Sequence, residues 1–113
     1  MLQIDKIQEN DHTILILSGE VDASNSVDLD NALQAIMEPN KKILLDGSKL
    51  QYISSAGLGV FMSYLEEFEA QTIKFVIFGL NQKVYNVFHI LGLDQLITIQ
   101  TTKEKALQEF YEA

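Results

Sequence analysis

The residues that could do chemistry in this chain are few, and they gather in one stretch. Leu44-Leu-Asp-Gly-Ser-Lys-Leu-Gln-Tyr-Ile-Ser-Ser-Ala-Gly-Leu-Gly-Val60 runs from an apolar segment, through polar residues, into a helical pattern beginning near Ser54 or Ser55. A serine at a helix N-terminus can cap it by accepting a backbone N–H. The same unpaired N–H groups and the helix dipole also make that spot hospitable to a phosphate. Ala56, Gly57 and Gly59 keep the first turn bare, so another protein can approach a serine hydroxyl closely. A plain cap with small residues for tight packing is the commoner use of such a pattern, and spacing alone does not choose between the two.

Other constellations fit less well. Asp46 ends an apolar run, as the phosphoacceptor of a receiver domain would, and Glu20 and Asp22 supply further acids. A receiver also needs a lysine after its last strand, and none follows Ile99 before Lys103. Capping loop N–H groups is the simpler role for Asp46. A Gly-x-Ser-x-Gly nucleophile elbow would need glycine where Ile53 stands. The bases of the usual kind are His12, in a turn and expected to face solvent, and His89, beside a helical apolar stripe. No triad, metal-ligand cluster or phosphate-cradling glycine loop is present, and no motif calls for a cofactor. An enzyme is therefore not expected.

Elements must position that stretch, and composition bounds them. The chain has 113 residues, with 47% hydrophobic and 21% charged, which fits one ordinary soluble domain. Eight lysines, no arginine and 16 acids give a net charge of −8. That balance argues against nucleic acid and against an anionic membrane surface. Without cysteine there are no disulfides, cysteine–zinc sites or thiol catalysis. The longest charge-free run, Leu50 to Leu65, holds Gln51, Ser54, Ser55, Gly57, Gly59 and Ser63, so no membrane span is expected. The N-terminus, Met1-Leu-Gln-Ile-Asp-Lys, does not read as a signal peptide, and a cytoplasmic location is expected.

Hydrophobic periodicity alternates between two and 3.6 along the chain. Leu2, Ile4 and Ile7 suggest a strand, Asn10-Asp11 a turn, and Thr13 to Leu17 a second strand closed by Ser18-Gly19, together a hairpin. Asp22 to Ser26 is rich in capping residues, and Leu29, Ala32, Leu33 and Ile36 recur at helical spacing until Pro39-Asn40. Lys42 to Asp46 reads as a short buried strand. Leu58, Phe61, Met62, Leu65 and Phe68 form a second helical stripe, with Glu66, Glu67 and Glu69 on its solvated face. Phe75 to Phe78 is a strand; Val84, Val87, Phe88 and Leu91 form a third helix ended by Gly92; Leu96 to Ile99 is a last strand. Thr101 with Glu104 resembles a capping box leading to Ala106, Leu107 and Phe110. The result is an α/β domain over residues 1–113: a mixed, mostly parallel sheet of about five strands, an N-terminal hairpin and about four helices. Loops at the strands' carboxyl ends, Gly19 to Ser26, Asp46 to Gly57 and Gly79 to Lys83, are where partners would gather.

The run Asp46-Gly-Ser-Lys-Leu-Gln-Tyr-Ile-Ser-Ser-Ala-Gly-Leu-Gly resembles the signature of STAS domains, and especially of bacterial anti-sigma factor antagonists of the sporulation and stress-response type. Ser18-Gly-Glu-Val-Asp22 is similar to that family's segment after its second strand, and Val84-Tyr-Asn-Val-Phe-His-Ile-Leu-Gly-Leu93 to its third helix. The resemblance implies a partner switch. In that family the unphosphorylated antagonist binds an anti-sigma factor that is also a serine kinase of the Bergerat ATPase type, and so releases a sigma factor. The kinase phosphorylates and ejects the antagonist, and a PPM-type phosphatase resets it.

The family's phosphoacceptor lies two residues before the motif's glycine, which Gly57 fixes as Ser55, with Ser54 a second candidate. Asp22, Ser24, Ser54, Ala56, Gly57 and Leu58 would meet the partner. Tyr64 and Val60 could extend an apolar patch. Three positions depart from the pattern: Ser54 stands where aspartate is frequent, Ala56 where serine or threonine is, and Gly47 where an apolar residue is, which implies a looser loop. A phosphate adds about −1.5 to −2 charges. Glu20, Asp22 and Asp46, expected at one end of the sheet, would repel a partner further once that charge is there. The alternative is a STAS module that scaffolds a larger signalling or transport assembly, with Ser55 only a cap.

Overall fold

Side-chain alternation along the strands sorts the apolar residues onto two faces. The computed structural model describes residues 1–111. Its elements are β1 (Leu2–Glu9), β2 (His12–Val21), α1 (Ser26–Ala35), β3 (Lys42–Ile53), α2 (Ser55–Ala70), β4 (Lys74–Phe78), α3 (Gln82–Ile90), a 3₁₀ turn (Leu93–Gln95), β5 (Thr98–Gln100) and α4 (Lys103–Tyr111). Leu15, Leu17, Ile43, Leu45, Phe75 and Ile77 join one core with Leu29 and Leu33 of α1, Leu58 and Phe61 of α2, and Val84 and Phe88 of α3. The residues out of phase with them, Ile14, Leu44, Val76 and Phe78, meet Ala106 and Phe110 of α4. Three helices thus cover one face of the sheet and α4 covers the other. That explains why the parallel strands read as unbroken apolar runs.

The five strands lie in chain order, β1-β2-β3-β4-β5. β1 and β2 pair antiparallel, and β2–β3, β3–β4 and β4–β5 pair parallel, giving the mixed sheet that the periodicity predicts. Because strand order never reverses, the sheet has no topological switch point and no crevice of the kind that holds ligands in doubly wound folds. Among the described residues, no helix is long and apolar enough to cross a membrane.

Several local expectations change. β2 does not close at Ser18-Gly19 but continues to Val21; Gly19 sits inside it at φ 103°, where the backbone of Met1 leaves no room for a side chain. β3 does not end at Asp46. It runs on to Ile53, while β4 stops at Phe78 opposite Asp46, so the segment from Gly47 to Ile53 pairs with β2 alone. Gly47 does not loosen this segment: it is buried, and the Leu80 side chain occupies the space a Cβ would need. Asp46 accepts from the Ser48 N–H at 2.9 Å and hydroxyl at 2.7 Å, a cap as foreseen but within a strand. α1 stops at Ala35, short of Pro39, because the N–H groups of Ile36 and Met37 tighten onto the carbonyls of Leu33 and Gln34. β5 begins only at Thr98, and Thr102 rather than Thr101 accepts from the Lys105 N–H at 3.2 Å to start α4.

His12 is the largest departure. It is 1% exposed, not solvated. The turn comprises Asn10 and Asp11, and His12 already belongs to β2, where the last turn of α4 closes over it. Its Nδ1 lies 3.2 Å from the Tyr111 hydroxyl and its Nε2 3.3 Å from the Glu9 carboxylate.

Candidate functional site

The extended β2–β3 pair ends with Val21 beside Ile53. From there the backbone N–H of Ser54 donates to the Val21 carbonyl at 2.9 Å, holding the start of α2 against the end of β2. Ser54 is extended (φ −89°, ψ 172°), as an N-cap should be. Its Oγ accepts from the Gly57 N–H at 3.4 Å and its carbonyl accepts from the Leu58 N–H at 3.0 Å. Ser55 is then the first helical residue. It is exposed, and its hydroxyl has no hydrogen-bond partner among the described residues. The N–H groups of the first turn that Ser54 leaves unpaired point out of the helix around it. The two serines that sequence could not separate therefore do different things.

Packing explains the small residues that follow. A Cβ on Gly57 would lie 2.6 Å from Val21 Cγ1 and 2.8 Å from Ile53 Cγ1. Gly57 is buried and Leu58 is fully buried, so neither presents the partner surface expected of it; both seat α2 on the sheet. Ala56 is half-buried, and Gly59 is exposed with open space where a side chain would be. Tyr64 is also buried rather than part of a surface patch. Its hydroxyl donates to the carboxylate of Asp30, and burial first, then Asp30, pushes the phenol above its ordinary range.

Asp22 and Ser24 lie in the turn that follows β2. The Asp22 carboxylate accepts from the Ser24 N–H at 2.9 Å and from its hydroxyl at 2.5 Å. Those bonds, the hydroxyl's foremost, hold the carboxyl below its usual range, so it stays charged. Asn25, which opens α1, spends its amide on the turn: Oδ1 accepts from the Asp22 N–H at 2.9 Å and Nδ2 donates to the Glu20 carbonyl at 3.0 Å. The polar run at 22–26 was legible as a cap but is used as an Asx-type turn.

Glu20 stands opposite Tyr52 in the register, near the same end. Asp46 does not. It precedes Ile53 by seven strand residues, on the order of 20 Å at ~3.3 Å each. The charge around Ser55 therefore comes from Glu20 and Asp22.

Sequence reading missed two apolar side chains near this end, Tyr52 at the end of β3 and Val27 in the first turn of α1, at 45% and 59% exposure; Met62, expected in the apolar stripe of α2, is instead 50% exposed. Val27 lies out of phase with the Leu29–Leu33–Ile36 stripe, and Tyr52 immediately precedes the buried Ile53; both were signals. Among the described residues no general base is hydrogen-bonded to the Ser55 hydroxyl. His12 starts β2 at its other end, and His89 is on α3 with its Nδ1 2.6 Å from Asp94. Among the described residues no cluster of His, Cys, Asp or Glu could hold a metal ion. The arrangement offers an exposed hydroxyl at a helix N-terminus to chemistry brought by another molecule.

Comparisons with known proteins agree with this architecture. The anti-sigma-B factor antagonist of Listeria monocytogenes is 28% identical over 99 residues, covering 87% of this chain and 87% of its own. The crystal structure of an anti-sigma factor antagonist from Mycobacterium paratuberculosis superposes with a TM-score of 0.87 at 21% identity, covering 96% of this chain and 93% of that one. The anti-sigma factor antagonist SpoIIAA in its unphosphorylated form gives 0.77 at 20% identity, covering 100% and 98%. At such identities the two structures establish a shared fold. The model of the STAS domain matches residues 3–106, from β1 into α4. With the sheet, the α2 start and nearly the whole length accounted for by that match, this chain belongs to the STAS domain family.

Proposed function

We propose that this protein is an anti-sigma factor antagonist that works as a phosphorylation-controlled partner switch through Ser55. Unphosphorylated, it binds an anti-sigma factor that is also a serine kinase of the Bergerat ATPase type, and so releases a sigma factor for transcription. Phosphorylated on Ser55 it lets go, and a PPM-type serine phosphatase restores it. The protein is a substrate in this cycle, not a catalyst, and acts in the cytoplasm.

The observation that carries this reading is the division of labour between adjacent serines. Ser54 is consumed as the cap of α2, while Ser55 presents a free hydroxyl. The names of the relatives supply the partner class. The partner would rest on Ser55, Ala56 and the bare Gly59, with Asp22 and Ser24 to one side and Tyr52, Val27 and Met62 as apolar anchors. A phosphate on Ser55 is tolerated in the free protein by the N–H groups of the first turn. In the complex it would be desolvated against a packed surface beside Glu20 and Asp22, which is costly. A loss of ~3 kcal/mol weakens binding by more than about a hundredfold.

The test is intact mass and peptide mapping of protein purified from its native cell, beside a Ser55→Ala strain. One added phosphoryl group on Ser55, absent in the variant, supports the switch. No phosphoform under growth or stress, with an unchanged Ser55→Ala phenotype, gives the fold to a non-switching scaffold instead.

A further inference from the structure

We propose that the cleft between α2 and the start of β5 is a docking site for a basic amphipathic segment of a partner protein, which inserts an apolar side chain between flanking lysines or arginines. The cleft holds about 330 Å³, the small end of the range for ligand sites and enough for one large side chain. Phe68, Phe75 and Ile97 line it, each at most 9% exposed. Leu96 lines it too and is 63% exposed. An apolar side chain left in water at the mouth of a cleft lined by buried apolar groups offers a partner a contiguous apolar surface.

Charge decides the occupant. Glu66 and Glu69 also line the cleft, one helical turn apart on α2. Among the described residues neither takes part in an ion pair. The next lysine along the chain, Lys74, points away: its Nζ is 3.4 Å from the Phe110 carbonyl on the α4 face. An apolar hole walled by two uncompensated carboxylates selects an apolar anchor with cations beside it. A second copy of this chain is a poor fit, since each copy carries a net charge of −8. The site is also separate from Ser55, which lies ten residues from Leu65 on α2, about 15 Å along the axis. The inference does not rest on the switch.

The experiment titrates the full-length ¹⁵N-labelled protein with a synthetic amphipathic Leu/Lys peptide and, separately, its Leu/Glu counterpart. The expected result is movement of the amide signals of 65–69 and 96–98 with the Leu/Lys peptide alone. Leu96→Ser should weaken binding about tenfold, and Glu66→Gln with Glu69→Gln by a similar factor. All three positions are exposed, so the variants fold. Ser55→Ala should bind the peptide unchanged, which keeps this result distinct from the fate of the switch. Equal binding of the Leu/Glu peptide would overturn the proposal. So would shifts spread over the acidic surface and indifferent to Leu96→Ser. Self-association that Leu96→Ser abolishes would give the cleft to a second copy.

Discussion

Val21 Cγ1 stands 2.6 Å from the point a Cβ on Gly57 would occupy. Val21 is fully buried and branched at Cβ, so it cannot swing aside cheaply. Gly57→Ala is therefore expected to destabilise the fold by about 1–3 kcal/mol through overpacking. Thermal unfolding should show a fall of several degrees, and the start of α2 should lose amide protection first.

The two serines should separate in a stability measurement. Ser54→Ala removes the cap on Gly57 and is expected to cost about 0.5–1 kcal/mol, since the bond is long. Ser55→Ala removes an exposed, unpartnered hydroxyl and should stay within about 0.5 kcal/mol of wild type. Urea denaturation of both variants decides this. Equal losses would mean the cap is shared.

Acid stability should depend on Asp11. The Lys42 ammonium, 2.7 Å away, and then the Tyr111 hydroxyl lower its carboxyl from 3.8 to about 2. A group depressed in the folded state contributes stability that is fully present above its unfolded value of 3.8 and is lost as pH falls through about 2. Asp11→Asn should flatten the acid-unfolding profile across that window, which acid unfolding followed by circular dichroism would read.

Tyr64 should act at the other extreme. Its phenol is raised above 10.0 by burial and by Asp30, so its contribution is complete below that value and declines as pH rises past it. Tyr64→Phe is expected to cost about 1 kcal/mol at neutral pH, from the lost hydrogen bond, and to remove the steepening above pH 10. Circular dichroism melts at pH 8 and above (roughly one unit apart) would read both effects.

Much of the fold was legible because local signals agreed with it. The apolar runs from Thr13 to Leu17 and from Phe75 to Phe78, and the stripes Leu29–Leu33 and Leu58–Phe68, each marked an element that the fold contains. What escaped depends on long-range contacts. β3 reads as ending at Asp46 because Gly47, Ser48 and Lys49 break its pattern. It continues because Leu80 fills the space over Gly47 and the Asn81 amide donates to the Leu50 carbonyl at 3.3 Å. His12 looks solvated because its partner, Tyr111, is 99 residues away. At the candidate site, spacing located the two serines, but only backbone angles could assign the cap to Ser54. Gly57 and Leu58 carry no mark in sequence that separates a partner surface from a core contact.

The sheet's order also bears on how the chain comes to be folded. Each strand after the first pairs with the strand made just before it. No strand has to wait for a later neighbour to be inserted beside it, so no strand pairing has to close more than one crossover, which limits the entropic cost of each. A chain emerging from the ribosome can add β3 to the finished hairpin, then β4, then β5, with the helix of each crossover docking as it appears. α4, made after β5, then closes the second face and shuts His12 in behind Tyr111.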